Sequence, residues 1–195
     1  NAKGLIVVPK SMFHEKFILD VERDTELLKE IQSRWFEEGP LKKLDPKTDH
    51  LVRELRRLQD EMPHRKIVIF SSYADTVNYL ARQLSALGVA RVFKYTAADA
   101  SSSTRKLIKE NFDASEKKSR QKDEYDILIA TDALSEGYNL HRAGVIINYD
   151  IPYNPTRVIQ RVGRINRIDK LVYERIHIYN FFPTAIGERE TGLKR

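Results

Sequence analysis

Lys66-Ile67-Val68-Ile69-Phe70-Ser71-Ser72-Tyr73 is the stretch that decides the fold. Ile67 to Phe70 is an unbroken apolar run, the pattern of a strand covered on both faces, as in a parallel sheet. The period then changes. Val77, Leu80, Ala81, Leu84 and Leu87 recur at helical spacing, so residues from about Ala74 to Leu87 form a helix with one apolar side, closed by Gly88. Further strands are expected at Arg91–Tyr95, Asp126–Ala130, Val145–Tyr149 and Arg175–Phe181, with a helix over Thr104–Phe112 and a polar loop over Ser115–Glu124. Asn154-Pro155 is a helix start, with asparagine as cap and proline in the first turn. Strands alternating with helices give an α/β fold whose central sheet is mostly parallel and flanked by helices.

Upstream the pattern is different. Leu5 to Val8 reads as a short strand closed by Pro9. Residues from about Glu22 to Glu37 read as a helix with Leu27, Leu28, Ile31 and Trp35 on one side, broken by Gly39-Pro40. Asp45-Pro46 opens a second helix, with Leu51, Leu55 and Leu58 on a shared face and Arg53, Arg56 and Arg57 outside. The expected organisation is a strand and helical lead-in over 1–45, an α/β domain over 46–182, and the start of a C-terminal extension over 183–195.

The net charge of +6 and the 32% of charged residues suit a busy polar surface and an anionic partner. With no cysteine, thiolate metal sites, disulfides and cysteine nucleophiles are excluded. The five histidines lack ligand-like spacing, so no metal site is expected. No apolar run is long enough to span a bilayer, and no signal peptide is visible, so the expected compartment is the cytoplasm. The chain lacks an initial methionine and is expected to be part of a longer protein.

Chemistry concentrates in three places. Arg157, Arg161, Arg164 and Arg167 lie at steps of four, three and three, on one side of a helix, with no acidic residue before Asp169. Such a stripe is either a solvated basic face or a surface that meets phosphates. Gly163 inside it costs about 1 kcal/mol relative to alanine, which points to a close approach by another backbone or a ligand, or to a helix end. The other two places follow strands, where ligands gather in open parallel sheets: Ser71-Ser72-Tyr73, and Thr131-Asp132 with Ser135-Glu136-Gly137. Each is ordinary turn chemistry or a phosphate and ribose site. The chain has no Gly-x-x-x-x-Gly-Lys-Ser/Thr loop and no Asp-Glu-x-x magnesium motif.

Taken in order, three blocks resemble the second RecA-like domain of superfamily 2 helicases and translocases, on the side of the Swi/Snf-type and bacterial HepA-like branch. Lys66 to Tyr73 resembles motif IV. Ile127 to Leu140, continuing into Val145 to Pro155, resembles motif V and the segment typical of that branch. Gln160 to Arg167 resembles motif VI. Where Swi/Snf proteins carry Gly-Gln after motif VI, this chain has Asp169-Lys170.

The resemblance implies a RecA-like fold and roles residue by residue. Arg164 and Arg167 would touch the γ-phosphate of ATP, and removing such a finger typically lowers turnover by about 10³ or more. Gln160 and Arg161 would couple nucleotide state to cleft closure. Asp132 would reach the ribose, with Gly137 and Glu136 beside the nucleotide. Ser71, Ser72 and Thr131 would hold nucleic-acid backbone phosphates. ATP with Mg²⁺ would be held mainly by an N-terminal RecA-like domain of the same parent chain, leaving this piece inactive alone. The nucleic acid implied is DNA, duplex favoured. The alternatives are a non-catalytic module that binds nucleic acid or protein, and one half of an RNA helicase.

Overall fold

The computed structural model describes residues 8–34, 45–135, 137–166 and 172–182. Two compact units divide the chain, Asn1–Leu51 and Val52–Arg195.

In the first unit, helix α1 (Phe17–Gln32) carries Asp20 in its first turn and Lys29 in its last, matching the helix dipole. Lys29 pairs with Glu26 at 2.7 Å, and Phe13 stacks on Phe17 with ring centroids 4.5 Å apart. The helix begins earlier than Glu22 because Phe17, Ile18 and Val21 extend its apolar pattern toward the N-terminus. The strand expected at Leu5–Val8 lies, but for Val8, outside the described residues, as does Trp35.

Helix α2 (Pro46–Glu61) starts as its sequence dictates. The Asp45 carboxylate accepts from the Thr48 amide at 2.8 Å, and Pro46 occupies the first turn, where its missing N–H costs nothing. Leu51, Leu55 and Leu58 are buried at helical spacing. Arg57 is not a free surface cation: Glu54 and Glu61 hold its guanidinium at 2.7 and 2.6 Å.

The second unit is built on five parallel strands, β1 (Lys66–Ser71), β2 (Val92–Tyr95), β3 (Ile127–Thr131), β4 (Ala143–Asn148) and β5 (His177–Asn180), in the order β2-β3-β1-β4-β5. β1, β3 and β4 are buried along their whole length, as an uninterrupted apolar run requires. Helix α3 (Ala74–Ala86) packs Val77, Leu80 and Leu84 inward against one face, and Gly88 (φ +72°) turns the chain beyond it. On the other face, Val68, Phe70, Leu128, Ala130 and Ile146 form one cluster with Ile108 and Phe112 of helix α4 (Ser102–Phe112) and Ile165 of helix α5 (Pro155–Ile165).

Side chains pin the long connection before β3. The Asn111 side-chain oxygen accepts from the amides of Glu124 (2.8 Å) and Tyr125 (3.2 Å). Arg142 donates to the carbonyls of Glu110, Asn111 and Lys122 and pairs with Asp123 at 2.6 Å. Buried backbone polar groups need partners, and these two residues supply them.

After β3 the chain passes over β1 to begin β4. This reversal opens a crevice at the carboxyl ends of β3, β1 and β4, where Ser71 lies in register with Thr131, and Phe70 with Asn148.

Candidate functional site

Asn148 ends β4 as a fully buried amide after an apolar run, and such a group must be hydrogen-bonded. Its Nδ2 donates to the Asn180 side-chain oxygen at 2.8 Å, which turns its own Oδ1 toward α5. Arg161 donates to that oxygen from Nη1 at 2.8 Å. The same Nη1 reaches the Asp150 carbonyl at 3.2 Å, while Nε and Nη2 grip the two oxygens of Asp132 at 2.6 and 3.0 Å. The guanidinium is fully buried, 5.1 Å from the Phe70 ring centroid. A buried cation of this kind is tolerated only when a carboxylate and several acceptors surround it, and the bidentate fork meets that condition.

The network continues outward. The Ser71 hydroxyl donates to the Asp150 carboxylate and accepts from the Tyr73 amide at 3.2 Å. Arg157, one turn before Arg161, sits 3.5 Å from Asp132. The Asn154 side chain caps α5 through the Thr156 amide at 3.0 Å. The ends of β1, β3, β4 and β5 and the inner side of α5 are therefore cross-linked by one polar cluster.

This splits the arginine stripe by role. Arg161 points into the protein. Gln160 is exposed and Arg164 half-buried, and among the described residues neither side chain has a hydrogen-bond or ion-pair partner. Gly163 lies beside them, with no atom of the described residues within 4 Å of the position a Cβ would take. Among the described residues no neighbouring backbone explains this glycine, and the helix runs two residues beyond it to Ile165.

The other residues singled out in the sequence fall nearby. Thr131 ends β3, Asp132 opens the 3₁₀ turn after it, and Ser72 is half-buried beyond β1. Gly137 is exposed with φ +91°, a conformation that side chains rarely adopt. Glu136 and Arg167 lie outside the described residues. Sequence reasoning missed Asn148 and Asp150 as site residues. The signal was present: an asparagine closing Val145-Ile146-Ile147 announces a buried amide that needs an ordered partner. Among the described residues no cluster of His, Asp and Glu is arranged to hold a metal ion, and no helix is long and apolar enough to cross a membrane.

The family described as "Helicase conserved C-terminal domain" matches residues 46–169. The chain belongs to this family. Among its relatives is the "Uncharacterized ATP-dependent helicase YqhH" of Bacillus subtilis, 31% identical over a 156-residue alignment that covers 67% of this chain and 25% of that protein. Another is the "Probable ATP-dependent RNA helicase DDX49" of Homo sapiens, 34% identical over 121 residues, 62% of this chain and 23% of that protein. The helicase C-terminal domain thus spans about a quarter of the length of these relatives. In structure it resembles the C-terminal part of the Fun30 ATPase domain (TM-score 0.62, 21% identity, 88% of this chain and 54% of that one). It also resembles the Hef helicase domain of Pyrococcus furiosus (TM-score 0.59, 21% identity, 92% and 34%). The five-stranded parallel sheet with flanking helices is the RecA-like α/β fold.

Proposed function

We propose that this chain is the second motor half of an ATP-dependent nucleic-acid helicase or translocase, and that α5 carries its contribution to ATP hydrolysis. The observation that supports this most is the division within one helix: Arg161 is locked into the sheet by four hydrogen bonds, while Gln160 and Arg164 stand beside it without protein partners among the described residues. A rigid base with free, preorganised donors is what stabilising developing phosphate charge requires.

In this reading an N-terminal RecA-like domain of the same parent protein holds ATP with Mg²⁺, which supplies the phosphoryl group that is transferred to water. Arg164 and Arg167 meet the γ-phosphate when the two domains close, and Gln160 senses its presence. Arg161 holds the angle of α5 and keeps Asp132 in place. Asp132, at the rim, accepts from a ribose hydroxyl. Gly137 and Glu136 lie against the nucleotide. Ser71, Ser72 and Thr131 border the backbone phosphates of the nucleic acid.

Duplex DNA is the favoured track, on the likeness of Val145–Pro155 and of Glu136-Gly137 to Swi/Snf-type and HepA-like proteins. RNA is the second reading, and the RNA helicases among the relatives favour it. The test is ATPase activity of the full-length protein with duplex DNA, single-stranded DNA and RNA, beside Arg164→Ala. Stimulation by duplex DNA, lowered by about 10³ in the variant, is expected. Preferential stimulation by RNA transfers the assignment to the RNA reading. No hydrolysis with any of the three, from a folded protein, leaves a binding module.

A further inference from the structure

The outer side of α4 and the loop after it carry charge that the proposed motor chemistry does not use. Lys106, Lys109, Lys117, Lys118 and Arg120 lie there around the carboxylates of Glu110 and Glu116. Over residues 105–124 seven cations stand against five anions, a surplus of two in a chain of net charge +6.

The two carboxylates do not simply neutralise the lysines. Both side chains are only 8% exposed, whereas those of Lys106, Lys109 and Arg120 are 74%, 55% and 65% exposed. Lys109 reaches Glu116 at 3.0 Å, Arg120 reaches it at 3.8 Å, and Lys106 reaches Glu110 at 3.7 Å. The acids therefore act from behind as anchors, Glu116 for Lys109 and Arg120, and Glu110 for Lys106 and, at 3.2 Å, Lys122. The ammonium groups of Lys117 and Lys118 have no carboxylate within 4.0 Å among the described residues. Between α4 and the loop lies a recess of about 560 Å³, lined by Ser102, Lys106, Lys109, Glu116 and Arg120 among others.

Position adds to charge. Ser101 caps α4 just beyond the carboxyl end of β2, the end of the sheet that carries Thr131 and Asp132. From there α4 runs back for 11 residues, about 16 Å at 1.5 Å per residue. The cations thus form a strip leading away from the site, long enough for several consecutive phosphates of one strand at about 3.4 Å of rise each. A solvated face needs no enclosed anchors, no recess and no such placement.

We propose that this strip, centred on Lys106, Lys109, Lys117, Lys118 and Arg120, is a second nucleic-acid contact, holding the backbone of the flanking segment that leaves the motor site. It rests on the reading of the chain as a nucleic-acid motor. It carries no sequence preference, because its donors meet phosphates only. It adds grip, and with it salt dependence.

The test is the salt dependence of nucleic-acid binding by the full-length protein, in two double variants. Lys117→Gln with Lys118→Gln removes cations that hold nothing in the fold. Lys106→Gln with Arg120→Gln removes the two most loosely anchored. Each duplex phosphate that the protein no longer neutralises makes the slope of log K against log salt shallower by about 0.9. Each double variant is therefore expected to flatten the slope by about 1 to 2, with unchanged thermal stability and unchanged ATPase activity in the absence of nucleic acid. Slopes within about 0.3 of the parent's in both variants, a third of one phosphate, overturn the strip and point to a protein partner or plain solvation. If Arg164→Ala still abolishes stimulated hydrolysis in that case, the motor reading stands and only the strip falls. A parent that binds neither DNA nor RNA overturns both.

Discussion

The buried arginine offers the sharpest quantitative prediction. Arg161→Met keeps the length and apolar stem of the side chain but removes the four hydrogen bonds to Asp132, Asn148 and the Asp150 carbonyl. The Asp132 carboxylate then loses its bidentate partner, with Arg157 still 3.5 Å away, and the Asn148 oxygen loses its donor. Breaking a buried pair from one side typically costs about 3–5 kcal/mol, because the surviving charge stays desolvated. Asp132→Ala is expected to cost a similar amount by stranding the guanidinium under α5. The double variant removes both charges together, so its cost is expected near about 4–6 kcal/mol rather than the sum of the two. The coupling energy is then about 2–4 kcal/mol. Urea unfolding of the four proteins measures it directly, provided the m-values agree. If the double variant equals the sum of the singles within about 0.5 kcal/mol, Arg161 and Asp132 are not coupled and the anchoring role of Arg161 is wrong.

Three further outcomes follow from the same structure. Gly163→Ala meets no atom of the described residues within 4 Å, so it is expected to stabilise the isolated chain by about 0.5–1 kcal/mol in urea unfolding; if the partner domain or its nucleotide closes onto this face, the same substitution lowers stimulated ATPase activity in the full-length protein. Burial, with the Tyr138 hydroxyl 3.0 Å away, pushes the Tyr95 phenol up to about 12. The folded state then holds its proton more tightly than the unfolded chain, so this stabilisation is complete below about pH 10 and is lost as pH rises toward about 12; Tyr95→Phe is expected to remove that part of the alkaline decline in chemical unfolding. Asn111→Ala leaves the amides of Glu124 and Tyr125 without their acceptor and is expected to cost about 1–3 kcal/mol, with hydrogen exchange at those two amides rising most.

Much of the fold was legible because three strands are buried on both faces, and continuous apolar runs such as Val145-Ile146-Ile147 have few other uses. Boundaries were less legible where capping decides them. Ser101, through the Thr104 amide at 3.1 Å, starts α4 two residues before the apolar pattern does. The polar run Ser115–Glu124 reads as a free loop in sequence. Its ordering by Asn111 and Arg142 depends on partners that are distant in the chain. The same holds at the site: the spacing of Arg157, Arg161 and Arg164 places them on one side of a helix, but only the tertiary position of Asn148 and Asp132 decides which of them is enclosed.

That division bears on the role proposed for Asp132 at a nucleotide. A carboxylate has about four lone-pair sites, and Arg161 takes two of them through its fork. Were Asp132 held by Arg157 alone, a ribose hydroxyl would compete with an exposed and mobile ion pair, and each binding event would have to order the carboxylate first. With Arg161 buried beneath it, the carboxylate is ordered before any ligand arrives, and the entropy of fixing it is lost once, on folding. The same fork fixes the pitch of α5 and so the direction in which Arg164 leaves it. A buried arginine thereby sets the geometry of two groups proposed to meet the nucleotide, and substitutions at 161 are expected to affect nucleotide affinity and turnover together.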